Sequence, residues 1–242
     1  RDEQRTRPIA LPPQRMHIDT IENTASNAAI YPVDPTGQGT WLAVNENGLS
    51  LALLNHYQAS ANIEVRSTSS QKNHHLISRG QLILTLLKNT APIVQQLNSM
   101  QLKHYSPFQL CAFPEGLCAN KGEVSSMIWD GETLCSREFT LPITSSSVDF
   151  DNVYKKRQRK FTSLVTDAKP TTNISAQHKA FHHSSDSAGK FSVNMRRDDA
   201  MTVSISHICV DYKKQGIANA LPHITFDYID NVQNTLHTMT LS

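Results

Sequence analysis

Hydrophobic and polar positions along this chain switch between two periods, and each switch marks an element. Thr40 to Val44 and Leu49 to Tyr57 are strand-like runs joined by Asn45-Glu46-Asn47-Gly48. Asn-Gly tolerates the positive φ of a tight turn, so the pair predicts a β-hairpin. Pro107 to Phe113 and Glu123 to Trp129 predict two further strands, and Asp130-Gly131 turns the second into Glu132 to Phe139 as a meander. Phe191, Val193 and Met195 alternate with polar neighbours, as do Met201, Val203 and Ile205, which predicts an antiparallel pair. Leu221 to Tyr228 predicts a last strand.

Helical spacing governs the rest. Leu82 with Leu86, and Ile93 with Leu97 and Met100, predict two short helices, with Pro92 at the first turn of the second. Residues 148 to 165 carry the strongest helical pattern. Ser147 or Asp149 can cap it, and Val153, Arg157, Phe161 and Val165 share one face. A short helix is predicted over Ser175 to His182. Residues 1 to 36, rich in Pro, Arg and polar side chains, are expected to form an extended segment wrapping over the fold, and 58 to 77 a loop. The tail from Ile229 to Ser242 places Val232, Leu236 and Met239 at helix-like spacing. Antiparallel strand blocks with helices between them argue for an α+β fold and a single domain over 1–242.

Composition narrows the class. The 242 residues are 38% hydrophobic and 18% charged, too poor in charge for a coiled coil. No apolar run approaches the ~18 residues of a membrane span. A net charge of +2 is far from the basic footprint of a nucleic-acid binder. The one basic run, Lys155-Lys156-Arg157-Gln158-Arg159-Lys160, is therefore expected to be a solvated helix face. Cys111, Cys118, Cys135 and Cys209 form no Cys-x-x-Cys pair, and a chain of this length does not need disulfides; reduced thiols and a cytoplasmic location are expected.

Familiar chemistries are missing from the sequence: there is no nucleophile elbow, dinucleotide fingerprint, P-loop or His-Glu-x-x-His. Gly37-Gln38-Gly39 is expected to be an ordinary loop. His178 and His182 stand four apart, a spacing compatible with a metal, but with no second His, Cys or carboxylate group beside them no metal site is expected.

Several segments, taken in order, carry a family resemblance. Arg1-Asp2-Glu3-Gln4-Arg5-Thr6-Arg7-Pro8 resembles the Asn-Arg-Asp-Glu motif that names the NRDE family, also called the Transport and Golgi organisation 2 family; the Asn would fall just before Arg1. Gly39-Thr40-Trp41 through Gly48, followed by Leu51 to Asn55, resembles the second block, and Ser78-Arg79-Gly80 the third. Ser145-Ser146-Ser147 with Phe150, Phe181-His182 with Ser184, and Met195 to Ser204 are similar to the bacterial branch.

The resemblance implies an N-terminal-nucleophile (Ntn) hydrolase-like fold, a four-layer αββα sandwich of two antiparallel sheets. In that family a terminal Cys opens a central strand, so strand and Cys are expected upstream of Arg1. By the same resemblance Arg1 and Asp2 would hold the amine and thiol, and Asn55 would donate its amide to an oxyanion. All three would converge at one end of the sandwich, with Trp41 as wall. Where related hydrolases carry a second oxyanion Asn, this chain has Ser145 or Ser146. The function implied first is binding and trafficking of a small ligand, with haem as the cargo and His17, His56, His104 and His207 among the residues that could ligate its iron. The alternatives are a cysteine Ntn amidohydrolase acting on a small amide and an inactive scaffold. Nucleic acid and membrane are not expected as partners.

Overall fold

A computed structural model describes residues 1–19, 27–60, 76–117, 123–167, 173–185, 189–212 and 221–241. Its contacts divide the chain into two compact units. The first comprises residues 1–9, 140–207 and 228–236; the second comprises 10–139, 208–227 and 237–242. The class is α+β, consistent with the expected sandwich of antiparallel sheets.

The second unit is built on seven strands: β2 (Leu11–Ile18), β3 (Asn27–Val33), β4 (Leu42–Asn45), β5 (Ser50–Asn55), β6 (Phe108–Phe113), β7 (Ser125–Trp129) and β8 (Leu134–Arg137). They pair antiparallel in chain order. Alternation puts Leu51 of β5 opposite Ala112 of β6, and Leu53 opposite Leu110, on one face. That face packs with the inward stripes of α1 (Gly80–Leu87) and α2 (Ile93–Ser99). Leu82, Leu86 and Leu97 are completely buried there with Phe108 and Leu51. Fully burying each such side chain contributes about 1.5–3 kcal/mol.

The β4–β5 hairpin is the one predicted. Gly48 sits at φ +93°, and the Asn45 side-chain oxygen accepts from the Asn47 and Leu49 amides at 3.1 and 2.9 Å. The meander through Gly131, at φ +104°, also forms as expected.

Cys111 lies inside this sheet, and burial pushes its thiol up to about 11, with a Ser126 hydrogen bond opposing the shift. Cys135, on β8, is exposed. Mild alkylation near pH 8 should therefore label Cys135 and spare Cys111 until the chain is unfolded; mass mapping of the labelled peptides checks this. Rapid labelling of Cys111 in the native protein would contradict it.

In the first unit, β1 (Asp2–Gln4) pairs with β9 (Ala200–Thr202). Helix α3 (Phe150–Phe161) runs on into a π-helical turn, Thr162–Thr166. Helix α4 (Ile174–His183) is capped by Asn173, whose side chain accepts from the Ser175 amide. A 3-10 turn spans Gly189–Phe191. Strands β10 (Ser204–Asp211), β11 (His223–Asp230) and β12 (Thr235–Leu241) form a three-stranded sheet in that order and contribute residues to both units.

Three expectations change. Residues 1–36 hold three paired strands, not an extended wrap without periodicity. The predicted pairing of 191–195 with 201–205 shrinks to one bridge, Arg196 with Met201, while β1 pairs along the other edge of β9. The tail is strand, not helix. Asp230 accepts from the amides of Val232 and Gln233 and Asn234 adopts φ +55°, which together reverse the chain into β12. Of the segment expected to be a loop, residues 61–75 lie outside the described residues.

Candidate functional site

In the first unit the site grows from the face that α3 turns inward. Val153 and Arg157 stand four residues apart, and both are buried within an otherwise charged run. The expectation of a wholly solvated face thus fails at Arg157. Its guanidinium fork donates through Nε and Nη2 to the Ser192 carbonyl at 3.1 and 2.9 Å, and through Nη1 to the Thr144 hydroxyl at 2.7 Å. Nη2 also lies 3.5 Å from the Asp2 carboxylate. Burial lowers the Arg157 pKa and the Asp2 charge opposes that, which leaves the group a cation at any physiological pH.

Asp2 is held from a second side. The Thr202 hydroxyl donates to its Oδ1 while accepting from the Met195 amide at 2.8 Å. About a third of the Asp2 side chain stays accessible. The arrangement is a fixed carboxylate, braced by a cation and a hydroxyl, that can still accept a hydrogen bond from a ligand.

Arg1 takes different partners. Strand alternation puts it on the side of β1 shared with Glu3, and its Nη2 meets Glu3 Oε2 at 2.7 Å, with Arg7 Nη1 on the same oxygen at 3.3 Å. The Arg1 backbone joins β10: its nitrogen donates to Ser204 O at 2.7 Å and its carbonyl accepts from Val203 at 2.9 Å. Ser145 and Ser146 are half-buried, and the Ser146 hydroxyl donates to the Val148 carbonyl at 2.6 Å. Their neighbour Thr144 is the residue that reaches Arg157.

Asn55 and Trp41 belong to the second unit. Asn55 ends β5 opposite Phe108, and its amide donates to the Tyr57 hydroxyl at 2.8 Å. Next to it, His56 has its pKa lowered by burial and then by the Arg137 charge, against a smaller opposing pull from Asp130. Its imidazole is therefore neutral at pH 7, the form that ligates metals. Trp41 is half-buried just ahead of β4, and its carbonyl accepts from Leu53 at 2.9 Å.

Two segments of the motif pattern meet as backbone. The Thr40 amide donates to the Gly80 carbonyl at 3.1 Å, and the Gln81 side chain donates to the carbonyls of Gly37 and Gln38 at 2.9 and 2.6 Å. Arg79 donates to the Pro107 carbonyl at 3.0 Å. The loop at 37–40 and the start of α1 are locked together, so these residues hold the unit in shape.

Arg157, Thr144 and Thr202 were not among the expected site residues. The sequence carries one signal for the first: Arg157 sits on the apolar stripe begun by Val153. Nothing local marks the two threonines. Among the described residues, no three His, Cys, Asp or Glu gather in a group that could hold a metal ion. Nor is any described helix long and apolar enough to cross a membrane.

These features define an α+β protein with a braced carboxylate near its first strand. The model of the Transport and Golgi organisation 2 family matches residues 1–219, and the chain belongs to that family. No curated protein matches it.

Proposed function

We propose that this protein binds a small ligand and passes it on, with haem as that ligand, the cargo the family resemblance implies. One observation carries the preference for binding over catalysis. The Asn55 amide, the donor a hydrolase would aim at an oxyanion, is already engaged with the Tyr57 hydroxyl at 2.8 Å. Asp2 is likewise engaged by Thr202 and Arg157. Both suit groups that shape a site better than groups that turn over a substrate. The reading assigns Arg1 and Asp2, and separately Asn55 with Trp41, to ligand contact, and takes the chain as a single Ntn-hydrolase-like domain working in the cytoplasm.

For haem iron, His56 is the imidazole that this reading selects from the four expected, because burial and Arg137 keep it neutral. Its lowered pKa sets the sign of the pH dependence. Binding through His56 should be lost at lower pH than binding through an ordinary imidazole, whose pKa lies near 6.5. It should be lost only as the pH falls through the lowered value. A hemin titration followed at the Soret band, repeated at descending pH, tests this. Saturation with a midpoint of loss below about pH 6.5 supports the reading, and uptake that never saturates, or a midpoint at or above that value, overturns it.

A further inference from the structure

Beside α3, in the first unit, lies a cleft of about 380 Å³ lined by Lys156, Arg159, Lys160, Phe191 and Ser192 among others. We propose that it binds a small ligand bearing a diphosphate group. Three of its lining side chains are cationic beyond Arg157, and among the described lining residues there is no Asp or Glu. A fourth cation, Lys190, adjoins the lining residue Phe191: Lys156 Nζ and Lys190 Nζ lie 4.1 and 4.9 Å from the centroid of that one ring.

An aromatic ring attracts cations, and two ammonium groups held near the same ring concentrate positive charge there. An anion bound beside them offsets that charge, and two linked phosphates offer enough acceptor oxygens to meet several cations at once, the Arg159 fork among them. The cleft is also rigid where it matters. The Ser192 carbonyl, at its wall, is held by two bonds from the buried Arg157. The Phe191 ring supplies an apolar plate for whatever the diphosphate carries. The basic run thus divides its labour: Arg157 faces inward, and Lys156, Arg159 and Lys160 face the cleft.

Calorimetric titration with pyrophosphate at low salt tests this. Saturable binding is expected, weakened about tenfold or more by Lys156→Ala combined with Lys190→Ala. The control pair Lys88→Ala and Lys103→Ala, exposed lysines of the other unit, should bind as the parent does. Melting temperatures of both variants should match the parent, since the substituted side chains are exposed. Equal loss in both pairs, absence of saturation, or succinate binding as tightly as pyrophosphate would overturn the proposal. A single-stranded oligonucleotide that outcompetes pyrophosphate would overturn it in favour of a nucleic-acid face.

Discussion

Gly39→Ala is expected to destabilise the protein by about 3 kcal/mol or more, the upper end for overpacking a tightly filled site. A Cβ built on Gly39 would stand 2.3 Å from the Gly80 carbonyl carbon and 2.7 Å from the Gln81 nitrogen. Both are backbone atoms, so no side chain can swing aside to make room. The approach is fixed by the Thr40–Gly80 bond and by the two bonds from Gln81. Gly80→Ala meets the reverse side of the same contact, with the Thr40 nitrogen at 2.9 Å and Gly39 backbone at 3.1 Å, and should cost somewhat less. Urea denaturation of both variants gives the comparison. A loss under about 0.5 kcal/mol for Gly39→Ala, the range of an ordinary surface change, would show that the loop and α1 are not locked.

The second large effect is at Arg157. Arg157→Ala should cost about 3 kcal/mol, because it removes a buried cation and three hydrogen bonds at once from a charged network. The Ser192 carbonyl loses two donors, Thr144 loses one, and Asp2 loses its nearby cation. Arg157→Lys keeps the charge but cannot reproduce the fork, so it should recover only part of the loss. Asp2→Ala alone should cost less, since a third of that side chain already meets water. The double variant should fall short of the sum by about 0.5 kcal/mol or more, the signature of residues that share a network. Additive losses would mean that Asp2 and Arg157 act independently.

How much of this was legible follows from the range of each interaction. The β4–β5 hairpin, the β7–β8 turn, α1, α2, α3 and α4 depend on neighbours within a few residues, and the alternation, Asn-Gly and Asp-Gly signals found them. Of the N-terminal strands, β1 was missed because it is three residues long and its partner, β9, lies about two hundred residues on. The tail misled because Val232, Leu236 and Met239 mimic a helical stripe. The alternation His237, Met239, Leu241 is what folds, after Asp230 has made the turn.

The site shows the same division. Asp2 was singled out through the family pattern, and the structure gives it partners. Thr202 and Thr144 have meaning only once distant segments meet, and no local pattern encodes that. Arg157 was hidden inside a run of like charges, although its spacing from Val153 marked it as inward-facing. Arg1, singled out through the same family pattern, pairs with Glu3, two residues along on the same side of the strand.

Under the proposed binding function, His56 is the group offered to haem iron. Parallel hemin titrations of the parent and His56→Ala near pH 7, with matched melting curves to establish that both are folded, address it most directly. A saturable Soret shift with about one equivalent per chain is expected in the parent, with marked weakening in the variant. An identical, saturable shift in both proteins would contradict the assignment of His56, and uptake without saturation in the parent would contradict the binding function itself.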